Sequence, residues 1–281
     1  MRCPDCGSDI HAFSEKCQTC GFFAGSPNVR AAAEPDEIAA LEARYEAARS
    51  SAAVDGRLGV LDAFEKRATD SFAVITTDLE VLRAFLTNSK ALYTTYSLGV
   101  KGQQRRAAEP DDDRERRMVE AKLFGAYGEE IRYAALSIER GLRSYGPVSL
   151  RLRDVAIAKR ASLLEENSYD FVDHHALGPK VPIPPGHRSP WSTRHQLAVA
   201  KLGGAVEAGT REDEFADILL HSDGDRSTDR FIEVHVFGPF DAGAIESVRG
   251  RTPAKGKSGA ADVARVKELL AKRGCSWIED A

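Results

Sequence analysis

"SYGPVSLRLRDV", residues 144–155, is the stretch on which the fold of this chain turns. Val148, Leu150 and Leu152 alternate with Ser149, Arg151 and Arg153. A period of two is that of an extended strand with one apolar and one polar face. Before this point apolar residues recur mainly at three- and four-residue steps. After it, short strand-like and helix-like runs are mixed. The expected fold class is therefore α+β: a small zinc ribbon over 1–25, a helical middle over 35–141, and a mixed α/β domain with a small sheet over 142–281.

Downstream, "RASLLEENSYDF" (160–171) carries small hydroxyls around a polar centre. "ALGPKVPIPPGHRSP" (176–190) holds five of the twelve prolines, so it is expected to be a long, semi-rigid loop, either a lid or a connector. Ser189 is expected to cap a helix with Pro190 at its first position. Trp191, His195, Ala198, Leu202 and Ala205 then share a face, with His195 half-buried. "REDEFADILL" (211–220) should be a short helix. "HSDGDRSTDR" after it lacks the later Glu of an EF-hand and reads as a turn. "RFIEVHVFGPF" (230–240) is again a strand, with Ile232, Val234 and Val236 on one side and Phe231, Glu233, His235 and Phe237 on the other. A carboxylate and an imidazole among aromatics fit either an exposed sheet face or the floor of a cleft. "AGAIESV" (242–248) is expected to form a short helix that packs back.

Upstream, Ile38, Leu41, Tyr45, Ala48 and Ala52 mark an amphipathic helix, and Thr77 with Glu80 makes a capping box before "LEVLRAFL". The polar run at 101–117 is expected to be a loop. It should lead into a helix over 114–141 that buries Met118, Ala121, Phe124, Ile131, Ala135, Ile138 and Leu142. The N-terminus contains "CPDCGSDIHAFSEKCQTCG" (3–21), two Cys-x-x-Cys pairs with ten residues between them. Cys3, Cys6, Cys17 and Cys20 are the spacing of a four-thiolate zinc site, and Gly7 and Gly21 follow each pair where the backbone must wrap the sulfurs. Four protein ligands leave no place for water or substrate, so the zinc is expected to be structural.

The 281 residues carry a net charge of −4, with 42% hydrophobic and 29% charged residues, a soluble globular balance and not that of a polycation. Neither a membrane span nor a signal peptide is evident, and a reducing cytoplasm is the expected setting. Arg2, Lys16 and Arg30 are offset by Asp5, Asp9 and Glu15, so the cysteine module has no basic surplus for phosphates. Its expected role, like that of the helical region, is protein docking or stabilisation. The segment 249–273 holds eight basic residues against Asp262 and Glu268, which makes nucleic acid or phosphate a candidate partner there. "GRTPAKGKS" within it is not a phosphate loop, because the glycine spacing is one residue too long and no strand is expected before it. Cys275 reads as a small packing residue.

The order of pieces from 145 to 250 resembles the ADP-ribosyltransferase fold, in particular its divergent bacterial and phage-associated members. The resemblance rests on "SLRLR", "RASLLEENSYDF" and "FIEVHVFGPF". It implies NAD as cofactor, Glu233 as the catalytic carboxylate with Arg151 and Ser162, and Arg153, Ser168, Tyr169 and His235 as cofactor-binding residues. The implied activity is mono-ADP-ribosylation of a protein or nucleic-acid acceptor. Phe231 stands where arginine-modifying members carry an acid or Gln, which counts against protein arginine as acceptor. Two other readings come from the residues themselves. One is a non-catalytic zinc-ribbon adaptor. The other is a metal-dependent nuclease using Asp223, Asp225, Glu233 and His235.

Overall fold

The computed structural model describes residues 1–102, 110–178, 180–254 and 259–280. Most of the polar run before residue 110, and Lys255 and Lys257 of the basic segment, lie outside the described residues. After the cysteine module come helices α1 (Pro27–Ala32), α2 (Pro35–Val54) and α3 (Leu58–Thr69), then strand β1 (Phe72–Thr77). Helices α4 (Leu79–Thr87), α5 (Tyr96–Lys101) and α6 (Pro110–Phe124) lead to β2 (Ile131–Ser137) and β3 (Val148–Leu152). Next are α7 (Asp154–Ile157), β4 (Ala161–Leu164), α8 (Ser168–His174), β5 (Arg188–Pro190), α9 (Arg194–Leu202) and α10 (Phe215–Leu219). The chain ends with β6 (Leu220–His221), β7 (Arg230–Phe231), β8 (Glu233–Phe237), β9 (Ile245–Gly250), α11 (Ala260–Ala271) and β10 (Ser276–Glu279). The fold is α+β.

Eight strands form one sheet in the order β10-β9-β3-β1-β2-β8-β4-β5. Its pairs are antiparallel except β9 with β10, while β6 and β7 make a separate two-stranded hairpin. The two faces of the sheet are covered unequally, and that inequality makes the site. One face presents Ala73, Ile75, Leu136, Leu150, Val234, Val236 and Val248 to α2, α3, α4, α9 and α11, forming the main core. On the other face α6 and α8 cover only the end near β8 and β4, through Val119, Leu123, Phe124 and Phe171. The β6–β7 hairpin shields the middle through Leu220 and Phe231. The stretch over β3 and β9 forms a cleft. No helix among the described residues is long and apolar enough to cross a membrane.

The alternation of 148–152 holds, with Val148, Leu150 and Leu152 buried and Ser149 and Arg151 half-buried. The helix expected over 114–141 does not. It stops at Phe124, Gly125 follows in the left-handed region at φ +59°, and residues 131–137 are strand β2. With six of its seven residues buried, β2 lies within the sheet between two covered faces, so it shows no alternation. Met118, assigned to the buried stripe, is exposed. Thr77 ends β1 and makes no cap; α4 starts from Asp78 without a side-chain cap bond. Ser189 and Pro190 lie in β5, not at a helix start. β5 is the sheet's last strand, where a proline's missing N–H costs no ladder bond. "AGAIESV" is a 3₁₀ turn (Ala242–Ala244) followed by β9, which fills the gap between β3 and β10. In "RASLLEENSYDF" the strand ends at Leu164, and Ser168 opens α8.

Candidate functional site

The four cysteines come together. Cys3 and Cys20 Sγ are 3.5 Å apart, Cys6 and Cys17 Sγ 3.6 Å, and all four sulfurs lie within 4.8 Å of one another. Zinc–sulfur bonds of about 2.3 Å make a tetrahedron with edges of about 3.8 Å. The group therefore has the size and donor chemistry to hold a zinc ion. Gly7 (φ +74°) and Gly21 (φ +78°) supply the positive φ that closes each loop. Hydrogen bonds from Ser8 pull the Cys6 thiol down to about 6, favouring the thiolate a metal binds. His11 stands outside this group; its Nδ1 accepts from Phe13 N–H. The module is docked on the sheet domain. The Phe13 ring packs on Tyr127 at 5.6 Å between centroids and lies against Gly125, where a Cβ would sit 2.8 Å from Phe13 Cζ.

The second centre is Glu233, whose carboxylate is buried. It accepts hydrogen bonds from Ser168 N–H at 3.1 Å, from Ser168 Oγ–H and from His235 Nε2–H at 2.9 Å. A carboxylate only accepts, which assigns the donating tautomer to the imidazole. Ser168 is placed by the turn into α8, where Asn167 Oδ1 accepts from Tyr169 N–H and caps the helix. His235 is fixed by edge contacts to Phe124 at 4.8 Å and Tyr133 at 5.5 Å. Glu233 lies at the edge of a hollow of about 80 Å³ walled by Tyr133, Tyr145, Thr76, Leu142 and Phe231. Burial, with the Glu233 charge nearby, raises the Tyr133 and Tyr145 phenols, so both are neutral donors at physiological pH.

Val74 links this hollow to a second one of about 130 Å³, lined by Phe72, Arg140, Ser149, Arg151, Ser247 and Arg249. The register explains why they share a face. Cross-strand partners run Ser247–Arg151–Val74–Ala135–Glu233–Leu164 across β9, β3, β1, β2, β8 and β4. Arg151 and Glu233 are three strand spacings, about 14 Å, apart on one face. The Arg151 guanidinium lies over the Phe72 ring at 4.2 Å and 3.1 Å from Glu246, at a half-exposed rim.

The other sequence-derived residues spread around this centre. Ser162 is the cross-strand partner of His235 and accepts from Asn28 Nδ2 at 3.0 Å. Tyr169 is half-buried at the start of α8, its phenol raised to about 12 by burial. Arg153 is half-buried just past β3, its N–H donating to Ala244 O. Asp223 and Asp225 are exposed and bind their own turn through Ser227 and Thr228. Among the described residues they form no metal-sized group with Glu233 and His235. In the basic segment, Arg265 and Lys272 both pair with Glu268, Lys267 with Glu279 and Arg249 with Asp280.

Sequence reasoning missed Asn28, Tyr133 and Tyr145. The last stands in the quoted 144–155 stretch, but nothing in the pattern says which groups its ring faces. A third cluster was also missed: Glu165, His175 and His187, whose ligand atoms lie within 4.8 Å. Arg44 is 2.6 Å from Glu165 and Lys201 is 3.7 Å from it, and two cations beside the carboxylate oppose a divalent ion. We read it as a half-buried ion-pair network. Comparison with protein-family models and with curated proteins finds no match to this chain.

Proposed function

We propose that this protein is an NAD-consuming ADP-ribosyltransferase with Glu233 as its reactive carboxylate and the zinc as a structural clip. The observation that supports the reading is one cleft-bearing sheet face that holds a rigidly bonded carboxylate at one end and a guanidinium at the other. NAD brings a nicotinamide–ribose bond whose cleavage develops positive charge on the ribose. A carboxylate already locked by Ser168 and His235 needs no reorganisation to face that charge, and the apolar walls strengthen its field. Tyr133 and Tyr145 give the hollow an aromatic lining suited to a flat heterocycle. Arg151, with the Ser149 and Ser247 hydroxyls beside it, suits the diphosphate, since a guanidinium binds phosphate oxygens in pairs. The span of about 14 Å between the two ends suits an extended dinucleotide lying across the strands. Ser168, and not Ser162, is the hydroxyl that bonds Glu233; Ser162 lies across from His235 on β4 and accepts from Asn28. Arg153, just past β3, and Tyr169, at the start of α8, would flank the ligand, and the acceptor is a protein or a nucleic acid.

The test is release of free nicotinamide from labelled NAD by the zinc-loaded chain, with transfer of label to protein, RNA and DNA assayed in parallel. Glu233→Gln is expected to lower release by about 100-fold or more. Arg151→Ala is expected to raise KM for NAD by about tenfold with little change in kcat, the pattern of lost ground-state binding. Absence of nicotinamide release by the wild-type chain would sink the reading.

A further inference from the structure

The zinc clip and the Glu233 strand are mechanically joined. Asn28, in the first turn of α1, is 3% exposed. Its Nδ2 faces three acceptors: His235 O at 2.8 Å, Ser162 Oγ at 3.0 Å and Arg160 O at 3.2 Å. Two of these are backbone carbonyls, which only accept, so the orientation of the amide is fixed. One side chain thus braces β4 and β8 two residues from Glu233. Its helix is tied to the clip, because Arg30 donates to Gly25 O and to Ala12 O, and Ser26 Oγ donates to Glu15. A second route is aromatic. Phe13 packs on Tyr127, Tyr127 on Phe124 at 5.8 Å, and Phe124 on the His235 ring at 4.8 Å. Both routes end at His235, whose Nε2 holds Glu233.

We infer that the clip is a positioning device, in which metal bound by the cysteines holds Asn28 and Phe13 in place and these hold β8. The apolar cluster of the module is only Cys3, Ile10 and Cys17 with Phe22 and Ala24 beside them, too small to keep its shape without the ion. Losing the metal therefore releases the anchors of Arg30 and Phe13 first and the bracing of β8 second. The inference goes beyond the transferase reading and is tested without turnover, so the two fail separately.

The experiment is hydrogen exchange followed by mass spectrometry on the full chain, zinc-loaded and after chelator stripping. Amides of 160–164 and 233–237 are expected to exchange about tenfold faster or more in the stripped protein, with 72–77 and 148–152 nearly unchanged. Asn28→Ala in the zinc-loaded protein is expected to reproduce the change at 233–237 with zinc content unaltered. Asn28→Asp is expected to be worse than Asn28→Ala, because it sets a carboxylate against carbonyl oxygens; a role in packing alone would reverse that order. Phe13→Ala, at a partly exposed position, tests the aromatic route if the Asn28 variants fail to fold, and is expected to give a smaller acceleration at 233–237. Acceleration confined to residues 1–30, acceleration spread evenly over the sheet, or foldable variants without effect at 233–237 would overturn the inference.

Discussion

Glu120 and Glu165 are two buried carboxylates displaced in opposite directions. Burial on α6 raises Glu120 to about 7, against a smaller opposing pull from Arg116. Its folded-state affinity for a proton exceeds the unfolded one, so its contribution to stability is fullest below the ordinary value of 4.5 and is lost as pH rises towards 7. Glu120→Gln is expected to flatten the urea midpoint between pH 5 and 8 and to stabilise the protein at pH 8 by about 1–2 kcal/mol, allowing for solvent screening. At Glu165 burial pushes upward, but the His187 imidazole and the Arg44 guanidinium outweigh it and hold the carboxyl at about 2. Stability from this group is present above 4.5 and is lost as pH falls towards 2. Arg44→Met is expected to move the acid-unfolding midpoint to higher pH, measured by circular dichroism. The residue types of such groups are read from the chain, but their neighbours come from distant segments.

At the scale of elements, β2 departs most from the helical pattern of its sequence. Its residues Ile131 and Ala135, with Ile138 just beyond its end, fit a helical stripe as well as a strand buried on both sides, and periodicity does not separate the two. The decisive feature is Gly125, at φ +59° with Phe13 against its missing Cβ. Gly125→Ala is expected to cost about 1–3 kcal/mol, read as a lower thermal midpoint, since it adds backbone strain and displaces Phe13 from Tyr127. Strands β3 and β8 were legible because each buries one face more than the other or carries charge among its apolar positions. Ser189 and Pro190 were misplaced because Pro at a helix start and Pro on an edge strand look alike in sequence.

For the whole molecule, metal binding by the four-cysteine group is expected to count towards global stability. Because four thiolates converge within 4.8 Å, one zinc per chain is expected by elemental analysis, and Cys3→Ser or chelation should lower the thermal midpoint by about 5 °C or more. The sequence alone determined the four-cysteine group that could hold a metal, because Cys-x-x-Cys loops carry their geometry locally. It also determined the α+β class, and the alternation that sends Glu233 and His235 to one side of their strand and Arg151 to one side of its own. Only tertiary structure decided that those sides are the same face of one sheet, that Ser168 and not Ser162 bonds the carboxylate, and that Asn28 reaches from the clip into the sheet. Each of these depends on strand order and register, which are set by packing between segments far apart in the chain.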